Sequence, residues 1–167
     1  MSSTRTTNHD ADTTSTVTSR VWSAELRVVT TIDATPDDVW RVLGATDRFP
    51  DWNPFITSLE GPLVVGGGIT VVLCVSGRKP QTLRPKIIEL ENGRTLGWHG
   101  RVGVRGLLDA WHHLTIEPVD HRHCRFVQHE RFAGVLVPAF RKLLTVDTPA
   151  AFVAMNSALV QRVAACA

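Results

Sequence analysis

The stretch Asp47–Gly61, DRFPDWNPFITSLEG, packs a tryptophan, two phenylalanines and two prolines between charges that sit mostly at its ends. Pro50 and Pro54 forbid a long helix, because each lacks a backbone N–H donor and its ring crowds the preceding turn. The aromatic load is too high for a casual surface loop, so the stretch covers something. Upstream, Trp22 to Ile32 alternates apolar and polar residues as a half-buried strand does. DATPDDVWRVLG follows. Thr35 suits an N-cap, Pro36 the first helical position, Asp37 and Asp38 the first turn, and Gly44 the end. A strand, a short helix and a short aromatic helix or loop thus open the domain.

Downstream, strand-like runs recur at Ile56–Glu60, Ile69–Val75, Thr82–Leu90, Thr95–Val102, Leu108–Glu117 and Arg122–Arg131. GPLVVGGG, SGRKP, ENGR, GVRG and VDHR punctuate them. Such close spacing predicts antiparallel hairpins, since parallel crossovers need a dozen or more residues. From about Val137 to Ala165 the pattern is helical, with Phe152, Asn156, Leu159 and Val163 on one face. Pro149 is expected to kink or divide that helix. The fold class is α+β: a curved antiparallel sheet of about seven strands against a long C-terminal helix.

Register places polar groups on the inner face. With a turn at Asp120–Arg122, His112 falls opposite Glu130, Leu114 opposite Gln128 and Ile116 opposite Phe126. A left-handed Gly93 in ENGR pairs Leu90 with Leu96 and Ile88 with Trp98, and brings Arg84 inward. Asn156 comes from the terminal helix. His112 and Glu130 read either as a satisfied pair closing the sheet, as groups orienting a ligand, or as a catalytic pair. In the last reading His112 is the base and Glu130 fixes its tautomer, while Arg84 steadies an enolate or carboxylate.

The residues ATPDDVWRVLGATDRFPDWNPFI, Arg84–Pro85, LGWHGR, GLLDAWHHLTIEP, ERFAGVLVP and AMNSAL together resemble the SRPBCC superfamily. That superfamily includes START-type lipid-binding domains and polyketide cyclase/dehydrase proteins. The resemblance spans roughly residues 21 to 165. It implies a helix-grip fold, in which the sheet wraps the long helix around an apolar cavity. Two short helices follow the first strand. Phe49, Trp52 and Phe55 would then roof the cavity mouth or simply plug the core. The expected ligand-binding set is Trp52, Phe55, Arg84, Trp98, His112, Phe126, Glu130, Phe132, Phe152, Asn156 and Leu159. The expected function is binding of a hydrophobic or amphipathic small molecule (lipid, isoprenoid or polyketide-like). The alternatives are a cyclase or dehydratase using His112 and Glu130, and a protein-interaction module with a filled interior.

Composition narrows the partners. A formal net charge of +2 without a Lys/Arg block argues against nucleic acid. No apolar run approaches a membrane span, so stable membrane insertion is not expected. Three widely spaced cysteines suit reduced thiols and a cytoplasmic location. HRHC at His121–Cys124 lacks a second ligand pair, so no metal is expected, and no cofactor is implied. The protein is expected to be a monomer or homodimer. Residues 1–20 are Ser/Thr-rich with no apolar segment and read as a disordered tail, leaving 21–167 as the ligand-binding domain.

Overall fold

The computed structural model describes residues 2–9 and 12–166. Among these residues ten strands and two α-helices follow in the order β1 (Ser3–Asn8), β2 (Thr13–Ser19), β3 (Ser23–Ile32), α1 (Pro36–Leu43), β4 (Ile56–Glu60), β5 (Thr70–Leu73), β6 (Gln81–Leu83), β7 (Lys86–Glu91), β8 (Thr95–Val102), β9 (Leu108–Pro118), β10 (Cys124–Ala133) and α2 (Thr148–Ala164). A 3-10 helix, Thr46–Asp51, lies between α1 and β4. The main sheet has seven antiparallel strands in the order β1-β2-β3-β10-β9-β8-β7, and β4-β5-β6 form a smaller sheet. This is the helix-grip α+β architecture, with α2 against the inner face.

Local chemistry accounts for the elements. Thr35 accepts a hydrogen bond from the Asp38 N–H and caps α1. Asn53 sets the corner after the 3-10 helix: its Oδ1 accepts from the N–H groups of Phe55 and Ile56 at 3.0 and 2.9 Å. Gly93 has φ of +83°, the left-handed turn expected of ENGR. Pro149 does not divide the terminal helix but occupies the first turn of α2. A π-helical turn, Leu143–Asp147, immediately precedes it, and the Thr148 N–H reaches back to the Leu143 carbonyl. That wider turn gives the proline ring room. By length and composition Leu143–Ala164 is apolar enough to cross a membrane, contrary to the sequence expectation. In the fold its apolar side (Phe152, Met155, Leu159, Val163) is committed to the sheet.

Two further expectations are corrected. The segment read as a disordered tail forms the hairpin β1–β2, with β2 paired along β3. Thr13, Ser15 and Val17 are buried there. Met1, Asp10 and Ala11 lie outside the described residues. The expected strand Thr82–Leu90 is two strands, β6 and β7, in different sheets. A bulge between Ile87 and Glu89 shifts the register, so Trp98 pairs with Ile87 rather than Ile88.

Rows of cross-strand neighbours organise the inner face. One runs Val17–Leu26–Glu130–His112–Trp98–Ile87 across six strands, all buried. The next runs Ala24–Phe132–Ala110–Gly100. Its small members at Ala110 and Gly100 fill little volume, and that is where the sheet leaves space.

Candidate functional site

That space is a cavity of about 110 Å³. Phe55, Leu73, Val75, Leu83, Leu108, Ala110, Phe132, Leu143 and Leu144 make its walls, with Gly100 and Thr148. Arg78, Lys79 and Arg101 lie at its rim, and Glu130 is the acidic residue on its wall. An engineered apolar cavity of about 150 Å³ takes up benzene. The enclosed space therefore suits one ring or a short chain segment, with anything larger lying toward the rim.

Glu130 is 7% exposed, and among the described residues its carboxyl has no hydrogen-bond or ion-pair partner. Burial pushes its pKa up to about 8, because ionisation in an apolar setting forfeits hydration without compensation. At neutral pH the group is mainly the neutral acid, able to donate a hydrogen bond.

His112 stands directly opposite Glu130 in the β9–β10 ladder, as its spacing requires. The two do not pair. The His112 Nε2 lies 3.2 Å from Gln128 Oε1. The Gln128 amide donates to the Phe152 carbonyl at 3.2 Å and to Asn156 Oδ1 at 2.7 Å. Both amide hydrogens are thereby directed away from His112, so Gln128 Oε1 accepts and His112 Nε2 carries the proton. Asn156 Nδ2 donates to Thr30 Oγ1 at 2.9 Å, and Thr30 meets Thr13 Oγ1 at 3.0 Å. A buried hydrogen-bonded chain thus joins β9, β10, α2, β3 and β2. The imidazole stacks on Phe152 at 4.8 Å and sits 4.7 Å from Trp98. Burial drives its pKa down to about 3, so it is neutral.

The remaining expected site residues divide cleanly. Phe55 and Phe132 line the cavity. Trp98, Phe152 and Asn156 surround or extend the His112 network. Phe126 and Leu159 are fully buried core and do not line the cavity. Arg84 is exposed: the chain changes sheets at Arg84–Pro85 and the bulge in β7 turns the register, so it does not reach the inner face. Trp52 is also displaced from the expected roof. It packs edge-on against Phe49 at 5.4 Å and faces a groove with Val42, Arg162 and Val163. Of the aromatic trio, only Phe55 reaches the cavity.

Sequence reasoning missed Gln128, Arg78, Lys79 and the pair Leu143–Leu144. Gln128 carried a usable signal, since it shares the inward alternation of Phe126 and Glu130. The other four come from a loop and an irregular helical turn, where no periodicity marks direction.

Among solved structures, norcoclaurine synthase from Thalictrum flavum, in complex with dopamine and hydroxybenzaldehyde, superposes with a TM-score of 0.65 at 18% identity. The match covers 85% of this chain and 87% of that one. The Zhui aromatase/cyclase from Streptomyces sp. R1128 gives 0.65 at 17% identity, covering 85% and 94%. One part of the di-domain aromatase/cyclase StfQ of the steffimycin biosynthetic pathway gives 0.61 at 14%, covering 87% of this chain and 51% of that one. These likenesses show the fold. No curated protein matches the sequence. The family model for polyketide cyclase / dehydrase and lipid transport proteins matches residues 23–165, from β3 through α2 and without the hairpin β1–β2. The chain belongs to that family.

Proposed function

We propose that the protein binds a small, mostly apolar molecule in the cavity, oriented by one hydrogen bond from the neutral Glu130 carboxyl to a carbonyl or hydroxyl oxygen. The observation that carries this reading is a buried acid, unpartnered among the described residues, on the wall of a cavity whose interior is mainly apolar and whose rim is cationic. Small-molecule sites are generally built this way, from apolar walls and a few placed polar groups. A fatty acyl, isoprenoid or polyketide-like compound meets the requirement with a segment no larger than one ring. A cytoplasmic location fits the three free cysteines.

A second reading, dehydration or cyclisation, is favoured by the position of the Glu130 pKa near 8, close to a working pH. The neutral acid would give its proton to a leaving hydroxyl, which departs as water. The carboxylate so formed would take a proton from the neighbouring carbon, which regenerates the acid. Glu130 fills both roles in this reading, and His112 is a positioning residue of the core. The aromatase/cyclase activity named for two of the structural neighbours is consistent with this class.

Calorimetric titration with 4-phenylbutanol tests the binding reading. Wild type is expected to bind, and Ala110→Leu, which fills the cavity from its sheet wall, is expected to abolish binding while the protein still melts cooperatively. Undiminished binding to a folded Ala110→Leu protein would place the ligand elsewhere.

A further inference from the structure

The rim of the cavity has a charge asymmetry that the apolar walls do not explain. Arg78, Lys79 and Arg101 border the opening. Arg78 is committed to Asp147 at 2.8 Å, and the same carboxylate also takes Lys142 at 2.6 Å. Arg101 is committed to Asp109 at 2.8 Å, and Asp109 is held further by the Gly106 N–H and by His99. Three cations, Arg78, Lys142 and Arg101, therefore share two carboxylates. Lys79 has no ion-pair or hydrogen-bond partner among the described residues, and it is exposed at the rim. Glu130 lines the same cavity, buried, and among the described residues it pairs with none of these cations.

We infer that the ligand is an amphipathic anion: a carboxylate or comparable acidic group at Lys79, an apolar ring or chain along Phe55, Leu108 and Phe132, and an oxygen acceptor reaching Glu130. This rests on the cavity reading above and adds the charge of the ligand and the direction in which it enters. The ion pairs Arg78–Asp147 and Arg101–Asp109 hold the rim without consuming Lys79, which leaves one cation, unpaired among the described residues, for the acidic group. A rim charge of this kind acts mainly through selectivity and salt-sensitive association. The opposite orientation, with an acid at Glu130, would set a carboxylate against an apolar wall and a carboxyl group. An ammonium ligand would have to pass the cationic rim.

The test is a matched series of probes, 4-phenylbutyrate, 4-phenylbutanol and 4-phenylbutylamine, titrated calorimetrically into the full-length protein. The expected result is a preference for the acid over the alcohol of about five- to ten-fold at low salt, shrinking as salt screens the rim. In Lys79→Glu the acid-to-alcohol ratio should fall to about one or below, since the substitution reverses one rim charge. Equal affinity of acid and alcohol in wild type would overturn the inference and leave the cavity reading standing. Preference for the amine would overturn it in favour of a cation paired with ionised Glu130. Failure of all three probes to bind would overturn the inference together with the cavity reading. An acid preference that persists undiminished in Lys79→Glu would show that another group receives the anion.

Discussion

His112 and Glu130 face each other across the β9–β10 ladder, yet the imidazole bonds Gln128, one inward position away, at 3.2 Å. The two titratable groups therefore have separate environments. His112 belongs to a satisfied polar chain running to Thr13, and Glu130 belongs to the cavity. Burial moves both toward neutrality, the histidine down to about 3 and the glutamate up to about 8.

Replacing His112 with alanine should cost stability rather than chemistry. It removes a ring stacked on Phe152 and tilted against Trp98 and leaves Gln128 Oε1 without its donor. A loss of roughly 3 kcal/mol is expected from the cavity and the orphaned acceptor together. Urea denaturation should show it. The pH profile of probe binding should keep the midpoint set by Glu130; its disappearance in a folded His112→Ala protein would return the imidazole to the site.

Deleting residues 1–20 should destabilise the protein. The deletion strips β2 from β3, exposes Leu26 and Val28 at a new edge, and removes Thr13 from the buried hydrogen-bonded chain. A loss of about 3 kcal/mol or more is expected, corresponding to a fall of roughly 10 °C in Tm. An unchanged melting curve would show that the hairpin contributes nothing to the domain.

Stability should vary with pH in a way that separates the two groups. Glu130 is harder to ionise folded than unfolded. The folded state binds the extra proton between about 4.5 and about 8, and stability falls as pH rises through that range. His112 is harder to protonate folded, so stability falls as pH drops from 6.5 toward about 3. Between roughly 4.5 and 6.5 the two slopes oppose each other. Above that range the Glu130 slope continues alone to about 8, and from 9 upward the buried Cys124 thiol, pushed up to about 11, adds a decline of its own. Below it the His112 slope is joined by that of Asp109, whose carboxyl Arg101 holds down to about 2. Chemical denaturation at stepped pH should give a plateau flanked by two declines, and Glu130→Gln should flatten the alkaline one between 6.5 and about 8. A decline within that window that survives in Glu130→Gln would assign it to another group.

Alternation carried most of what was legible. In β9 and β10 the inward set is regular enough that the register Glu130↔His112 and Ile116↔Phe126 follows from spacing alone. Gly93 fixed the β7–β8 turn, but the bulge after Ile87 has no local signature, and that single extra residue carried Arg84 to the surface. The hairpin β1–β2 was obscured because STRTTN and TTSTVTS hold one valine between them. Their threonines are β-branched and favour strands, which outweighed low hydrophobicity once β3 offered an edge. Choice of partner was beyond alternation: Gln128 and Glu130 share a face, and which of them His112 reaches depends on side-chain direction and on the anchoring of Gln128 by Asn156. Gly97 illustrates a constraint visible only in three dimensions, since a Cβ there would lie 2.5 Å from the His113 ring on the outer face.

The most direct test of the account is a ¹³C NMR titration of the Glu130 side-chain carboxyl, assigned through its loss in Glu130→Gln, with and without saturating 4-phenylbutanol. The expected midpoint is about 8 in the free protein, moving higher with the probe as water leaves and the ligand oxygen accepts from the neutral acid. A midpoint near the ordinary 4.5 that does not respond to the probe would contradict it, by showing that the carboxyl is hydrated and that no ligand reaches it.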